Sequence, residues 1–283
     1  MMRLHGLLLG AAVMCVLQMS AGAQEKKNDD PKDQAKVQPC CPPGHTFRHL
    51  DGRPIVFVAN GVGGSTTVSD NLLELNSDRN LGLRIQSVPW CRQNALFQDL
   101  LDNQAQLHAA ARIACTVEAI RKDCPNVPIY LIGHSAGARV VLVAAEMLPP
   151  NTVERVIVLA PAVSCGYDLT GVLRASRGGI DNFFSAEDGV LDAAVYYHTL
   201  ADGTRDQAAG RVGFRPMSAD KKDLEAYRLV RQYRWNEEYH GSGGHFAWTL
   251  RHNMKKTIVP LLFMGTPIIE PPLATSPKMP AAK

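Results

Sequence analysis

Apolar residues in this chain fall into two patterns. The first is the short unbroken run, seen in Pro54-Ile55-Val56-Phe57-Val58-Ala59, in Val127-Pro128-Ile129-Tyr130-Leu131-Ile132 and in Val153 to Ala160. Runs of this kind suit strands covered on both faces of a parallel sheet. The second is a helical recurrence. Leu96, Leu100, Leu107, Ala110, Ala111, Ala114 and Val117 repeat on one face between about Ala95 and Lys122, and an apolar stretch from Ala138 to Leu148 follows Gly137. Further strands are predicted at Leu83 to Pro89, from Ile180, and at Leu229 to Tyr239. A helix from about Thr67 to Leu75, capped by Ser65 or Thr66, and another starting near Phe246 complete the series. Pro125 and Pro128 close the long helix, and Pro149-Pro150 breaks the chain after the next one. Strands alternating with helices predict an α/β class: a doubly wound, mostly parallel sheet flanked by helices. Ligands then collect at the C-terminal strand ends.

The ends of the chain read differently. Arg3 and His5 precede the apolar run Gly6 to Leu17, and Ala21-Gly22-Ala23 fits a small-x-small cleavage site, so residues 1–23 are expected to be a signal peptide. The run is too short to span a bilayer. Residues 24–45 are charged and proline-bearing and read as a disordered polar linker; residues 266–283 read as a Pro-rich disordered tail. One domain, 46–265, remains between them. Export implies a secreted or periplasmic protein, in which the six remaining cysteines (Cys40, Cys41, Cys91, Cys115, Cys124 and Cys165) favour disulfides over metal. The connectivity stays open, with Cys115 and Cys124 close enough to staple a helix end.

The net charge of +3 and the lack of a basic arm leave nucleic-acid binding without an electrostatic footprint. Neither C-x-x-C nor H-E-x-x-H occurs, so no metal is expected. The loop Asn60-Gly61-Val62-Gly63-Gly64-Ser65 resembles a dinucleotide fingerprint, but Thr66 stands where glycine is required, so no cofactor is expected either.

The candidate chemistry lies at Gly133-His134-Ser135-Ala136-Gly137, between a predicted strand and a predicted helix. G-x-S-x-G in that setting is a nucleophile elbow: a strained turn that lifts the serine hydroxyl off the strand end, with glycines where a Cβ would clash. Ser135 is then the nucleophile, and the Ala136 N–H faces the developing oxyanion. The loop after the first strand supplies the second donor, for which Val62 N–H is chosen.

A serine hydroxyl needs a base, itself oriented by an acid, and in this architecture they follow in the order Ser, Asp or Glu, His. Asp188, in the polar turn after the strand from Ile180, is chosen as the acid over Glu187 and Asp192. His245, delivered by Gly241-Ser242-Gly243-Gly244, is chosen as the base. His45, His49, His108 and His198 fall elsewhere, His134 is expected to pack or bond locally, and His240 and His252 are set aside, the latter as lying two turns into a helix.

On Gly133–Gly137, Asn182–Asp188 and Gly244-His245, the chain resembles the α/β-hydrolase fold superfamily over roughly Pro54 to Met264. The resemblance implies a small lipase- or esterase-like serine hydrolase acting on a small-molecule, lipid or polymeric ester, with Ser135, Asp188 and His245 as its triad. Two departures stand out. Asn60 occupies a position where many relatives carry histidine. The sheet looks trimmed at its N-terminal edge, and Gly171 to Gly179 is too short for a large cap. Residues 189–219, with Tyr196, Tyr197, His198, Phe214 and Met217, read either as a lid or as packing for an outer helix. The same nucleophile would also serve an acyltransferase or a peptidase, and a non-catalytic binding protein could share the fold.

Overall fold

A computed structural model describes residues 52–92, 96–197, 199–217 and 221–263. The signal peptide, polar linker and Pro-rich tail expected from the sequence lie outside the described residues, as do Cys40, Cys41, His45, His49 and His198, and the side chain of Tyr197.

The strands are β1 (Ile55–Ala59), β2 (Arg84–Ser87), β3 (Ile129–His134), β4 (Arg155–Leu159), β5 (Ile180–Phe184) and β6 (Val230–Arg234). They form one sheet in the order β2-β1-β3-β4-β5-β6, parallel at every pairing. Between and around them run α1 (Thr67–Arg79), α2 (Leu96–Leu101), α3 (Asn103–Asp123), α4 (Gly137–Glu146), α5 (Thr170–Ala175), α6 (Gly189–Tyr197), α7 (Ala209–Val212), α8 (Lys221–Ala226) and α9 (Arg251–Leu261).

The unbroken apolar runs have a direct cause. In β1, Ile55, Phe57 and Ala59 join a core shared with α3, α4 and α5, while Val56 and Val58 point the other way, into a core completed by α1, Trp248 and α9. Both faces of the strand are covered, so no position is left for a polar residue. The sheet is therefore doubly wound, with helices on both faces. Among the described residues β1 is the first strand. No helix among them is long and apolar enough to cross a membrane.

Four local expectations shift. The long helix predicted from Ala95 to Lys122 is two helices, because the Asp102 side chain accepts the Ala105 N–H and starts α3 afresh. Neither Ser65 nor Thr66 caps α1 through its side chain; Asn60 Oδ1 instead accepts the Val68 and Ser69 N–H groups. The helix after His245 opens as a 3₁₀ turn, Ala247–Thr249, and Leu250, in an extended conformation, restarts it as α9. His252 is therefore in the first turn of α9, its ring tilted against that of His240 with centroids 3.7 Å apart. No disulfide joins any two of Cys91, Cys115, Cys124 and Cys165. In the 189–219 stretch, Phe214 is buried in the core while Tyr196 and Met217 are exposed, so Phe214 packs.

Candidate active site

The site forms where β1, β3, β5 and β6 end. At the close of β3, Ser135 has φ +54°, a left-handed conformation that costs a non-glycine residue roughly 1–3 kcal/mol. The flanking glycines let the chain take this turn. A Cβ at Gly133 would lie 2.5 Å from Ala138 Cα, and one at Gly137 would lie 2.2 Å from the Ala59 carbonyl oxygen. The two positions are closed by backbone of α4 and β1, which cannot rotate away.

Asp188 and His245 arrive from the loops after β5 and β6. His245 Nδ1 lies 2.7 Å from Asp188 Oδ2, and His245 Nε2 lies 2.9 Å from Ser135 Oγ. All three residues are buried, Asp188 completely. The second Asp188 oxygen accepts the Leu191 N–H at 3.0 Å, fixing the carboxylate at the start of α6. The two rejected acids are elsewhere engaged: Glu187 is exposed, and Asp192 pairs with Arg211 at the surface.

The expected oxyanion donors lie beside this row. Ala136 is the buried N-cap of α4. The Asn60–Gly64 loop runs close to the nucleophile, for a Cβ on Gly61 would be 3.4 Å from Ser135 Cβ and 3.1 Å from His134 Nδ1. Among the described residues, no loop or turn carbonyl accepts from the Val62 or the Ala136 N–H.

His134 packs as the sequence implied. Its ring lies 5.0 Å from that of His245, and its Nε2 approaches the His245 carbonyl at 3.3 Å. A carbonyl accepts only, so Nε2 carries the proton and the buried Nδ1, without a partner among the described residues, carries the lone pair. Burial first, and then the nearby His245, push the pKa of His134 down to about 3. The ring stays neutral at neutral pH. Cys91 also stands at the loop, with Sγ 3.5 Å from the Gly61 carbonyl. Burial pushes its thiol up to about 11, which keeps it protonated and removes it as a rival nucleophile.

Sequence reasoning missed what holds the Asn60–Gly64 loop. The Trp90 indole N–H donates to the Asn60 carbonyl at 2.8 Å, and Asp99 Oδ2 accepts the Gly63 N–H at 3.1 Å. These partners come from 30 and 36 residues along the chain, so no local pattern could have paired them.

Several known proteins are similar to this chain. Residues 104–228 match the family model described as serine aminopeptidase, S33, a span that includes Ser135 and Asp188 and stops before His245. A 68-residue segment is 35% identical to mouse (Mus musculus) monoglyceride lipase; it makes up 24% of this chain and 22% of the lipase's length. Among solved structures, dienelactone hydrolase from Anabaena variabilis is similar with a TM-score of 0.45 and 16% identity, over 74% of this chain and 84% of the other. The catalytic core of acetyl xylan esterase from Trichoderma reesei has a TM-score of 0.42 and 12% identity, over 74% and 96%.

Proposed function

We propose that this chain of the α/β-hydrolase fold is an exported serine hydrolase that cleaves carboxylic esters through an acyl-enzyme. Ser135 Oγ attacks the ester carbonyl while His245 Nε2 takes its proton. Asp188 keeps the His245 proton on Nδ1 and stabilises the imidazolium that forms. The tetrahedral oxyanion is received by the Ala136 and Val62 N–H groups. Collapse expels the alcohol, which leaves with the proton from His245. Water then repeats the cycle on the acyl-serine, returning the carboxylic acid and free Ser135.

The observation that carries this reading is the unbroken contact from Asp188 through His245 to Ser135, at 2.7 and 2.9 Å, meeting a serine held at positive φ. Such strain at a strand end has a reason if the hydroxyl must be presented to a substrate. Beside it, half-exposed Phe246 packs against the His134 and His245 rings and offers an apolar lip to an acyl or alcohol group.

The test is covalent labelling with a fluorophosphonate together with turnover of p-nitrophenyl esters of increasing chain length. Labelling of the wild type, its loss in Ser135→Ala, and a fall in kcat of roughly 10³–10⁶ are expected. A Ser135→Ala protein as active as the wild type sinks the assignment. The aminopeptidase description of the matching family model favours amide cleavage as a second reading. Aminoacyl p-nitroanilides hydrolysed faster than every ester in the panel would select it.

A further inference from the structure

The Asn60–Gly64 loop is fixed in an unusual way. Gly63 and Gly64 both have positive φ, at 72° and 70°, so the backbone there is intrinsically soft and needs outside restraint. Asn60 ties the start of the loop down: its Nδ2 donates to Ser69 Oγ and Ser87 Oγ while its Oδ1 caps α1. Beyond Val62, where the Cys91 sulfur also meets the Gly63 and Gly64 backbone, the charged restraint is Asp99, a carboxylate only 1% exposed. One oxygen accepts the Gly63 N–H and the other accepts the Arg92 N–H, each at 3.1 Å.

Asp99 is in turn connected to the nucleophile's own helix. Gln106 donates to the main-chain carbonyls of Asp99 and Leu100 at 3.3 and 2.9 Å, and Arg139, in the first turn of α4, donates to Gln106 Oε1 at 2.7 Å. A largely buried polar chain, Arg139–Gln106–α2–Asp99–Gly63, therefore joins the helix capped by Ala136 to the loop that carries Val62.

We infer that Asp99 is a positioning residue: through Gly63 it aims the Val62 N–H at the developing oxyanion and sets its spacing from the Ala136 N–H. The inference rests on the serine hydrolase reading. The negative charge of Asp99 has the wrong sign to stabilise an oxyanion directly, so its benefit has to come through geometry. A carboxylate also suits the task better than an amide would. It accepts from both N–H groups at once, whereas an asparagine must turn its NH₂ against one of them. Burying a charge in this way is unfavourable unless those bonds are made.

The test compares Asp99→Asn with Asp102→Ala, which removes the α3 cap and the Arg92 side-chain ion pair but touches neither Gly63 nor the site. Steady-state kinetics on the best p-nitrophenyl ester, inhibition by a boronic acid that forms a tetrahedral adduct on serine, and hydrogen exchange of the peptide spanning 60–65 are read on both. Asp99→Asn is expected to lower kcat by roughly 10–100-fold with KM within about twofold. Boronate inhibition should weaken by the same factor, and exchange at Gly63 should quicken. Asp102→Ala is expected to lose stability while keeping kcat and the exchange pattern of the loop. Wild-type kcat in Asp99→Asn, unchanged exchange, or equal kinetic losses in the two variants overturns the proposal. A wild-type protein that takes no fluorophosphonate and turns over no ester overturns the hydrolase reading and the catalytic role of Asp99 with it. Unchanged Gly63 exchange in a protein that takes the fluorophosphonate overturns the role of Asp99 and leaves the hydrolase reading standing.

Discussion

Asp188 shows how finely a single residue is specified. One of its oxygens faces His245 Nδ1 and the other accepts the Leu191 N–H, so the carboxylate cannot rotate to exchange them without losing a bond. Asp188→Asn would keep the shape and the Leu191 bond. Its amide NH₂, however, would donate to His245 Nδ1 and force the ring proton onto Nε2, where it opposes Ser135. A fall in kcat of about 10⁴ with little change in KM is expected, measured on the same ester. A variant within tenfold of wild type would mean that Asp188 does not set the tautomer. At this scale the sequence was unevenly readable. Ser135 sits in a contiguous motif, whereas only its place in the polar turn and the chain order set Asp188 apart from Glu187 and Asp192. What separates the three is burial and partners, which belong to the folded loop. Asp99 gave no signal at all, because its partners Gly63 and Arg92 meet it only after α2 docks.

At the scale of elements, runs covered on both faces were legible because burial on both sides leaves a continuous apolar signature, as in β1 and β4. Breaks inside helical runs were less so. Asp102 and Leu250 each restart a helix through one residue's backbone or side chain, while the apolar periodicity carries on across the break. The strand-to-helix junction at the elbow was fully specified by its glycines, and this has a measurable consequence. A Cβ at Gly137 would meet the Ala59 and Asn60 carbonyl oxygens at 2.2 and 2.3 Å, so Gly137→Ala must push α4 off β1. A loss of roughly 2–4 kcal/mol is expected from urea unfolding midpoints. Gly189 supplies the control: a Cβ there meets nothing within 4 Å, and Gly189→Ala at the start of α6 should be close to neutral. Equal stability in both variants would contradict the close approach of α4 to β1.

For the whole molecule, the buried histidine next to the nucleophile links stability to pH. His134 has a pKa of about 3 in the folded protein, against 6.5 as its ordinary value. The cause is burial, reinforced by the His245 ring; the bond that Nε2 donates to the His245 carbonyl acts the other way and is outweighed. Between those two values the unfolded chain holds a proton on this residue that the folded chain does not. Unfolding is then favoured as pH falls, with stability fully present above pH 6.5 and lost progressively down to about 3. One proton contributes a slope of about 1.4 kcal/mol per pH unit within the window. His134→Gln keeps a donor for the His245 carbonyl and removes the titration. Unfolding midpoints measured from pH 7 to pH 4 should therefore fall less steeply for the variant, by close to that slope. Parallel pH profiles for the two proteins would mean that His134 takes up its proton without unfolding, and that its ring is not confined as its contacts with His245 and Phe246 require.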